Sequence, residues 1–277
     1  MQVKDYTVSG EVFPLASCQS CSLRFTQDVP GAFEIAPYYK SDAYISHTET
    51  RKGIINRLYH LVRNRTLIRK RKLIEKWTQR NSGKLLDIGS GTGAFPGEMT
   101  KHGWETVGLE PDEEARSMAR RVHHIELLGI QKLFSMAPES FDAITLWHVL
   151  EHVHDLKAYF SQIGKLIRPG GRVFIAVPNF TSYDAGVYGH FWAAYDVPRH
   201  LYHFSPSAME MLVKENDLRL LKCLPMWYDS FYVSLLSSRY RHGKTKWIEA
   251  LWTGLVSNLS AIKDPRKCSS VIYVIGR

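Results

Sequence analysis

One stretch limits the fold more than any other. Leu85-Leu86-Asp87-Ile88 runs straight into Gly89-Ser90-Gly91-Thr92-Gly93. The first four residues read as a short buried strand, and the alternate glycines impose a tight turn before a helix expected over Gly93 to His102. Glycine tolerates positive φ and lets a ligand lie against the backbone with no Cβ between them. Free N–H groups at the start of the helix suit a ligand carboxylate or phosphate. A strand, turn and helix of this kind belong to an open sheet whose ligand sits beyond the carboxyl ends of the strands.

The chain downstream continues the alternation. Thr106 to Leu109 reads as a second strand and Pro111 to Val122 as a helix. His124 to Leu127 suits a short third strand and Phe141 to Leu146 a fourth, followed by a helix from Asp155 to Ile167. Val173 to Val177 is a fifth strand, Pro206 to Glu215 a helix, Leu218 to Leu221 a sixth strand and Val271 to Ile275 a seventh. Two helical stretches, Phe231 to Tyr240 and Lys246 to Ile262, separate the last two strands. Strands spaced by helices of this length predict an α/β fold, with a mostly parallel sheet covered by helices on both faces.

A glycine loop alone is weak evidence, because dinucleotide enzymes carry similar ones. Two acids sharpen it. Asp87 precedes the glycines on the strand itself, and Glu110 ends the second strand in Val107-Gly108-Leu109-Glu110-Pro111-Asp112. A carboxylate at Glu110 can accept both hydroxyls of a ribose. The alternative is that both acids only cap helices.

These residues resemble the first two motifs of the class I S-adenosylmethionine (SAM)-dependent methyltransferases. Phe141-Asp142-Ala143-Ile144 followed by His148-Val149-Leu150-Glu151-His152-Val153 resembles the family's fourth-strand motif, and Leu166-Ile167-Arg168-Pro169-Gly170-Gly171 the loop before its fifth strand. The order and spacing hold from about Lys84 to Val177, and the chain resembles in particular the ubiquinone-biosynthesis O-methyltransferases. It implies a Rossmann-like seven-stranded sheet and SAM contacts at Asp87, Gly89, Ser90, Gly91, Thr92, Gly93, Glu110, Pro111, Trp147 and His148. The nicotinamide-binding pattern fits less well, because Phe95 and Pro96 follow Gly93.

Before the sheet, residues 1–56 are irregular, aromatic and rich in turns. Cys18 and Cys21 have metal-ligand spacing, but a tetrahedral zinc needs four ligands and no second pair is present. This part resembles the zinc ribbon and aromatic linker that begin some bacterial methyltransferases. Cys18 and Cys21 match the second knuckle, Tyr38 to Tyr44 match the linker, and the first knuckle is missing. Cys223 and Cys268 sit in apolar stretches and are expected as buried thiols. The division expected is 1–56 for the ribbon-like remnant and linker, and 57–277 for the methyltransferase domain, with a helical insertion at about 228–264.

The 277 residues carry a formal charge of +9. Much of it lies between Arg63 and Arg80, where eight cations meet one acid, Glu75. Leu67, Ile68, Leu73, Ile74 and Trp77 fall between them at roughly helical spacing, which favours an amphipathic helix packed on a core over a nucleic-acid surface. No apolar run is long enough to cross a bilayer and the N-terminus lacks a signal pattern, so a cytoplasmic home is expected.

Methyl transfer to oxygen needs alignment of donor and acceptor, exclusion of water and removal of a proton, for which a base with a pKa near 7 is suited. His148 is the first candidate beside the reacting methyl, and His200, in an aromatic segment expected to wall the pocket, is the second. No metal is assigned. In ubiquinone-type relatives acids near the fourth-strand motif can hold a divalent ion, but only Glu151 and His152 match that pattern. The expected function is methyl transfer from SAM to a small molecule, at oxygen. Alternatives are a sugar or glycan-precursor acceptor, and a nucleic-acid-binding protein or RNA methyltransferase using helix 63–80. The sequence names neither the acceptor nor the oligomeric state, although Phe231 to Leu259 is apolar enough on one face to cover the pocket or a partner.

Overall fold

The computed structural model describes residues 1–39 and 54–277, with residues 54–63 as backbone only. The linker residues Lys40 to Tyr44 lie outside the described residues, as does the side chain of Arg63.

Seven strands form the central sheet: β4 (Gly83–Ile88), β5 (Trp104–Leu109), β6 (Leu127–Leu128), β7 (Phe141–Trp147), β8 (Ile167–Pro178), β10 (Arg219–Pro225) and β11 (Ser270–Gly276). Their order is β10-β11-β8-β7-β4-β5-β6. Every pairing from β8 to β6 is parallel, while β11 runs antiparallel to both of its neighbours. The expected α/β, Rossmann-like, mostly parallel seven-stranded sheet is therefore present. Period-two alternation explains how helices cover both faces. Leu86, Ile144, Val173 and Tyr273 pack into one core, and their chain neighbours Leu85, Ala143, Phe174 and Val274 into the opposite one.

The helices are α1 (Ile54–Thr78), α2 (Ala94–Thr100), α3 (Glu113–His123), α4 (Leu156–Leu166), α5 (Tyr183–Tyr188), α6 (Pro206–Glu215), α7 (Asp229–His242) and α8 (Trp247–Lys263). Two expectations shift. His124 takes a left-handed cap (φ 55°) after α3, which leaves only Leu127–Leu128 for the edge strand. Helix α2 is shorter at both ends than the span Gly93 to His102, because Gly93 stays left-handed and caps its start, and Lys101 caps its end.

The N-terminal residues build on the sheet domain. Strands β1 (Gln2–Lys4), β2 (Val12–Ser17) and β3 (Arg24–Thr26) form an antiparallel sheet that continues onto β9 (Tyr202–His203). Val3, Phe13 and Leu15 share a core with Tyr188, Trp192, Tyr195 and Val197. The aromatic residues of segment 188–204 expected as pocket walls are thus interior packing. Cys18 and Cys21 sit in the turn between β2 and β3, where the Cys18 N–H donates to Leu23 O at 2.8 Å. Among the described residues no further ligand gathers with them. Cys268 is buried and Cys223 half-buried.

Arg199 joins the two parts. Its guanidinium donates to Asp196 Oδ2 at 2.9 Å, to the Tyr38 carbonyl at 2.7 Å and to Thr7 Oγ1, with Asp5 3.6 Å away. Its side chain is 3% exposed and that of Asp5 is buried, so removing the guanidinium takes away the cation that Asp5 and Asp196 face. Arg199→Met is expected to lower stability by about 3–5 kcal/mol in urea unfolding. A loss below about 1 kcal/mol would show that the N-terminal sheet docks without it.

Candidate functional site

The sheet order reverses at β4, and the site lies beyond the carboxyl ends of β4 and β7. Gly89, Gly91 and Gly93 all have positive φ (74°, 52° and 79°). Their reasons differ. A Cβ on Gly89 would lie 2.3 Å from Val149, and one on Gly93 2.8 Å from Ala119, so packing requires these two glycines. A Cβ on Gly91 would meet nothing within 4 Å, so this backbone faces open space.

The loop is held by its own N–H groups. Gly89 and Ser90 donate to Leu109 O at 2.8 and 2.9 Å, and Gly91 donates to Glu110 Oε2 at 2.7 Å. These loop N–H groups are therefore engaged within the protein, and the helix that follows begins at Ala94. They provide a shaped surface beside a carboxylate. Glu110 is 9% exposed; burial raises its pKa, against the N–H bonds from Asp112 and Gly91. Ser90 Oγ turns back to the Asp87 carbonyl, Thr92 is half-buried at the outer turn, and Pro111 is exposed beyond Glu110. Asp87 is buried and accepts from Thr145 Oγ1 at 2.6 Å. Burial lifts its pKa to about 6, opposed by the Thr145 bond and the Lys70 charge.

Lys70 was not expected here. It comes from the basic stretch of α1, and its Nζ lies 4.3 Å from the Trp147 ring centroid. Burial lowers its pKa to about 8, while Asp87 and Asp229 act to keep it charged. Its phase could have revealed it, because Leu67, Lys70, Ile74 and Trp77 share one helix face. Arg71 also turns away from bulk solvent, to Glu75 and Glu98 at 2.7 and 2.9 Å. Trp147, at the end of β7, packs edge-on against Phe95, and its Nε1 is buried without a hydrogen-bond partner.

His148 follows Trp147 in a left-handed conformation (φ 58°) that aims its ring across the end of the sheet. Nδ1 lies 3.2 Å from Glu151 Oε1, and Nε2 3.1 Å from Asp229 Oδ2. Burial alone would lower its pKa, but the bonds and charges of Asp229 and Glu151 outweigh it and raise the value to about 10. The ring is then an imidazolium at neutral pH, and not the base near pH 7 that its position suggested. Asp229, the first residue of α7, is the second unforeseen member, delivered by the insertion from 81 residues away along the chain.

His200 lies on the far side of Glu151. It is 9% exposed, its Nδ1 is 2.9 Å from Ala194 O, and its ring stacks edge-on with His152 at 4.6 Å. His152 contacts Arg199 O and Tyr39 Oη through Nδ1, and burial lowers its pKa to about 4. One ligand atom each from Glu151, His152 and His200 lie within 4.8 Å of one another, and Glu151 Oε2 is buried without a partner. That donor set could take a divalent ion. His148 and His200 therefore share Glu151 but do not face one another. The other expected residues gather on the His148 side.

The profile of a family described as a methyltransferase domain matches residues 59–222. The chain is 29% identical over 175 residues to a ubiquinone biosynthesis O-methyltransferase of Nitrosococcus oceani, covering 58% of this chain and 72% of that one. It is 26% identical over 165 residues to the human mitochondrial ubiquinone biosynthesis O-methyltransferase, covering 53% of this chain and 44% of the human one, so it spans less than half of that relative. Among solved structures, a SAM-dependent methyltransferase from Archaeoglobus fulgidus superposes with a TM-score of 0.53 at 16% identity, over 78% of this chain and 94% of that one.

The clamp on His148 has a pH signature. A group whose folded pKa is raised from 6.5 to about 10 adds stability that is full below pH 6.5 and is lost as pH rises through about 10. The stability advantage of the parent chain over His148→Gln should shrink across that window in unfolding measured at several pH values. A difference that does not change with pH would mean that His148 is not held as a cation.

Proposed function

This chain belongs to the methyltransferase-domain family, and from that premise we propose that it carries the methyl group of SAM to a hydroxyl of a small-molecule acceptor in the cytoplasm. The observation that carries the reading is the Gly91 backbone open to space beside the buried Glu110 carboxylate. When bound, SAM supplies a methyl group already activated by its sulfonium.

The residues fit such a ligand from end to end. Glu110 offers a carboxylate to ribose hydroxyls, as in the general arrangement of these sheets. Gly91 leaves room for the adenosyl part to lie against the turn. Asp87 and Lys70 place opposite charges near one another, which suits the ammonium and carboxylate of an amino-acid end. Trp147 and Phe95 wall off water beside them.

On the acceptor side, His148 acts as a fixed ring beside the reacting methyl. Asp229 and Glu151 take both of its ring nitrogens, so it shapes the place where the acceptor hydroxyl meets the methyl and the hydroxyl proton leaves to solvent. A phenolic hydroxyl, with a pKa near 10, gives up that proton more easily than an alcohol does. Asp229 and Glu151 hold the ring in one orientation and keep it charged. His200 is fixed by Ala194 O and accepts from Thr26 through its carbonyl; no step is assigned to it or to a metal. The RNA reading loses ground because Lys70 and Arg71 leave the basic face for the interior.

Two variants test this. Gly91→Arg fills the open space and should abolish SAM binding in calorimetry; affinity within about threefold of the parent would remove the loop from the account. His148→Ala should lower methyl transfer to a phenolic acceptor by roughly a hundredfold while SAM affinity changes little. Unchanged turnover would strip His148 of its role.

A further inference from the structure

Helix α8 leaves an apolar face uncovered. Trp247, Ile248, Leu251, Trp252, Leu255 and Ile262 lie within an arc of about 140° on its outer side. Trp247 and Trp252 are each 63% exposed and Ile248 is 87% exposed. The opposite face, with Ala250, Gly254, Ser257 and Ala261, packs on α7 and on the rest of the insertion. Single exposed apolar residues are ordinary, but a contiguous stripe with two indoles marks an interaction site.

Charge says what covers it. Lys244 and Lys246 stand at the amino end of the stripe, and Lys263, Arg266 and Lys267 at its carboxyl end, all exposed. The nearby acids are engaged: Glu249 pairs with His242 at 3.1 Å and Asp264 with Arg266 at 3.1 Å. No acidic side chain pairs with Lys244, Lys246, Lys263 or Lys267 among the described residues. A second copy of this chain fits poorly, because a stripe basic at both ends sets cation against cation whether the helices pack parallel or antiparallel. A surface that is apolar below and anionic above fits well. Indoles favour the depth of lipid headgroups, and lysines at the ends of a surface helix reach anionic headgroups. At 17 residues α8 is about 25 Å long, and no described helix is long and apolar enough to cross a membrane.

We propose that α8 lies flat in the surface of a bilayer containing anionic lipid, its tryptophan stripe at the headgroup boundary and its terminal lysines on the headgroups. This docking is independent of the methyl-transfer reading and would stand if that reading fell.

The test sediments the full chain with vesicles of phosphatidylcholine alone and of phosphatidylcholine mixed with phosphatidylglycerol. Binding is expected to the mixed vesicles only, with a blue shift of tryptophan fluorescence and loss as salt is raised. The double variant W247S/W252S, at exposed positions and with its melting temperature checked against the parent, should bind roughly tenfold more weakly or worse, and K244E/K246E should also weaken binding. No binding to anionic vesicles would overturn the proposal. So would undiminished binding by W247S/W252S, which would place the contact on cations elsewhere. A dimer in sedimentation velocity that W247S/W252S disperses would also overturn it, in favour of a second copy.

Discussion

The left-handed turn after β4 is the constraint on which the rest of the structure depends. Gly89 must be glycine because Val149, from the turn after β7, occupies the space a Cβ would need, and Gly93 because Ala119 of α3 does. The loop thus records the packing of its two neighbours. Leu109 O takes two of its N–H groups, and Glu110 takes a third. The same hydrogen bonds that shape the turn also fix the carboxylate beside it. Only Gly91 is left facing outward, and that is where a ligand can approach the backbone.

Three distant parts of the chain converge on the end of β7. Helix α1 brings Lys70 over Trp147, helix α7 brings Asp229 to His148, and the N-terminal sheet reaches the site through β9. Thr26 bonds to both the His200 carbonyl and the His203 ring, and the Leu201 N–H donates to Glu151 O. The backbone of the N-terminal strands is in this way tied to the residue that clamps His148. The result is a cation held between two carboxylates, where burial alone would have left a neutral ring. Electrostatics wins over desolvation here because both ring nitrogens have an ionised partner at about 3 Å.

Much of this was legible beforehand, for physical reasons. Strands β4, β7, β8 and β11 are buried on both faces, so they appear as continuous apolar runs bounded by turns. The glycine loop and Glu110 were legible because they answer local requirements. The edge strand β6 is shorter than its sequence suggests, because a strand paired on one side carries little pattern and His124 caps α3. Asp229 and Lys70 escaped because their roles depend on which elements meet in space. For Lys70 the helix phase held a clue, but a run of lysines and arginines reads first as a solvated face. The protonation of His148 also depends on a partner 81 residues away, which no local pattern discloses.

The most direct measurement is calorimetric titration of the purified chain with SAM, S-adenosylhomocysteine and NAD. The account predicts that both adenosyl ligands bind in the micromolar range and NAD does not, since Glu110 fits an adenosyl ribose while the N–H groups of Gly89, Ser90 and Gly91 are engaged within the protein and offer nothing to a pyrophosphate. Tight binding of NAD, or no binding of either adenosyl ligand, would contradict it.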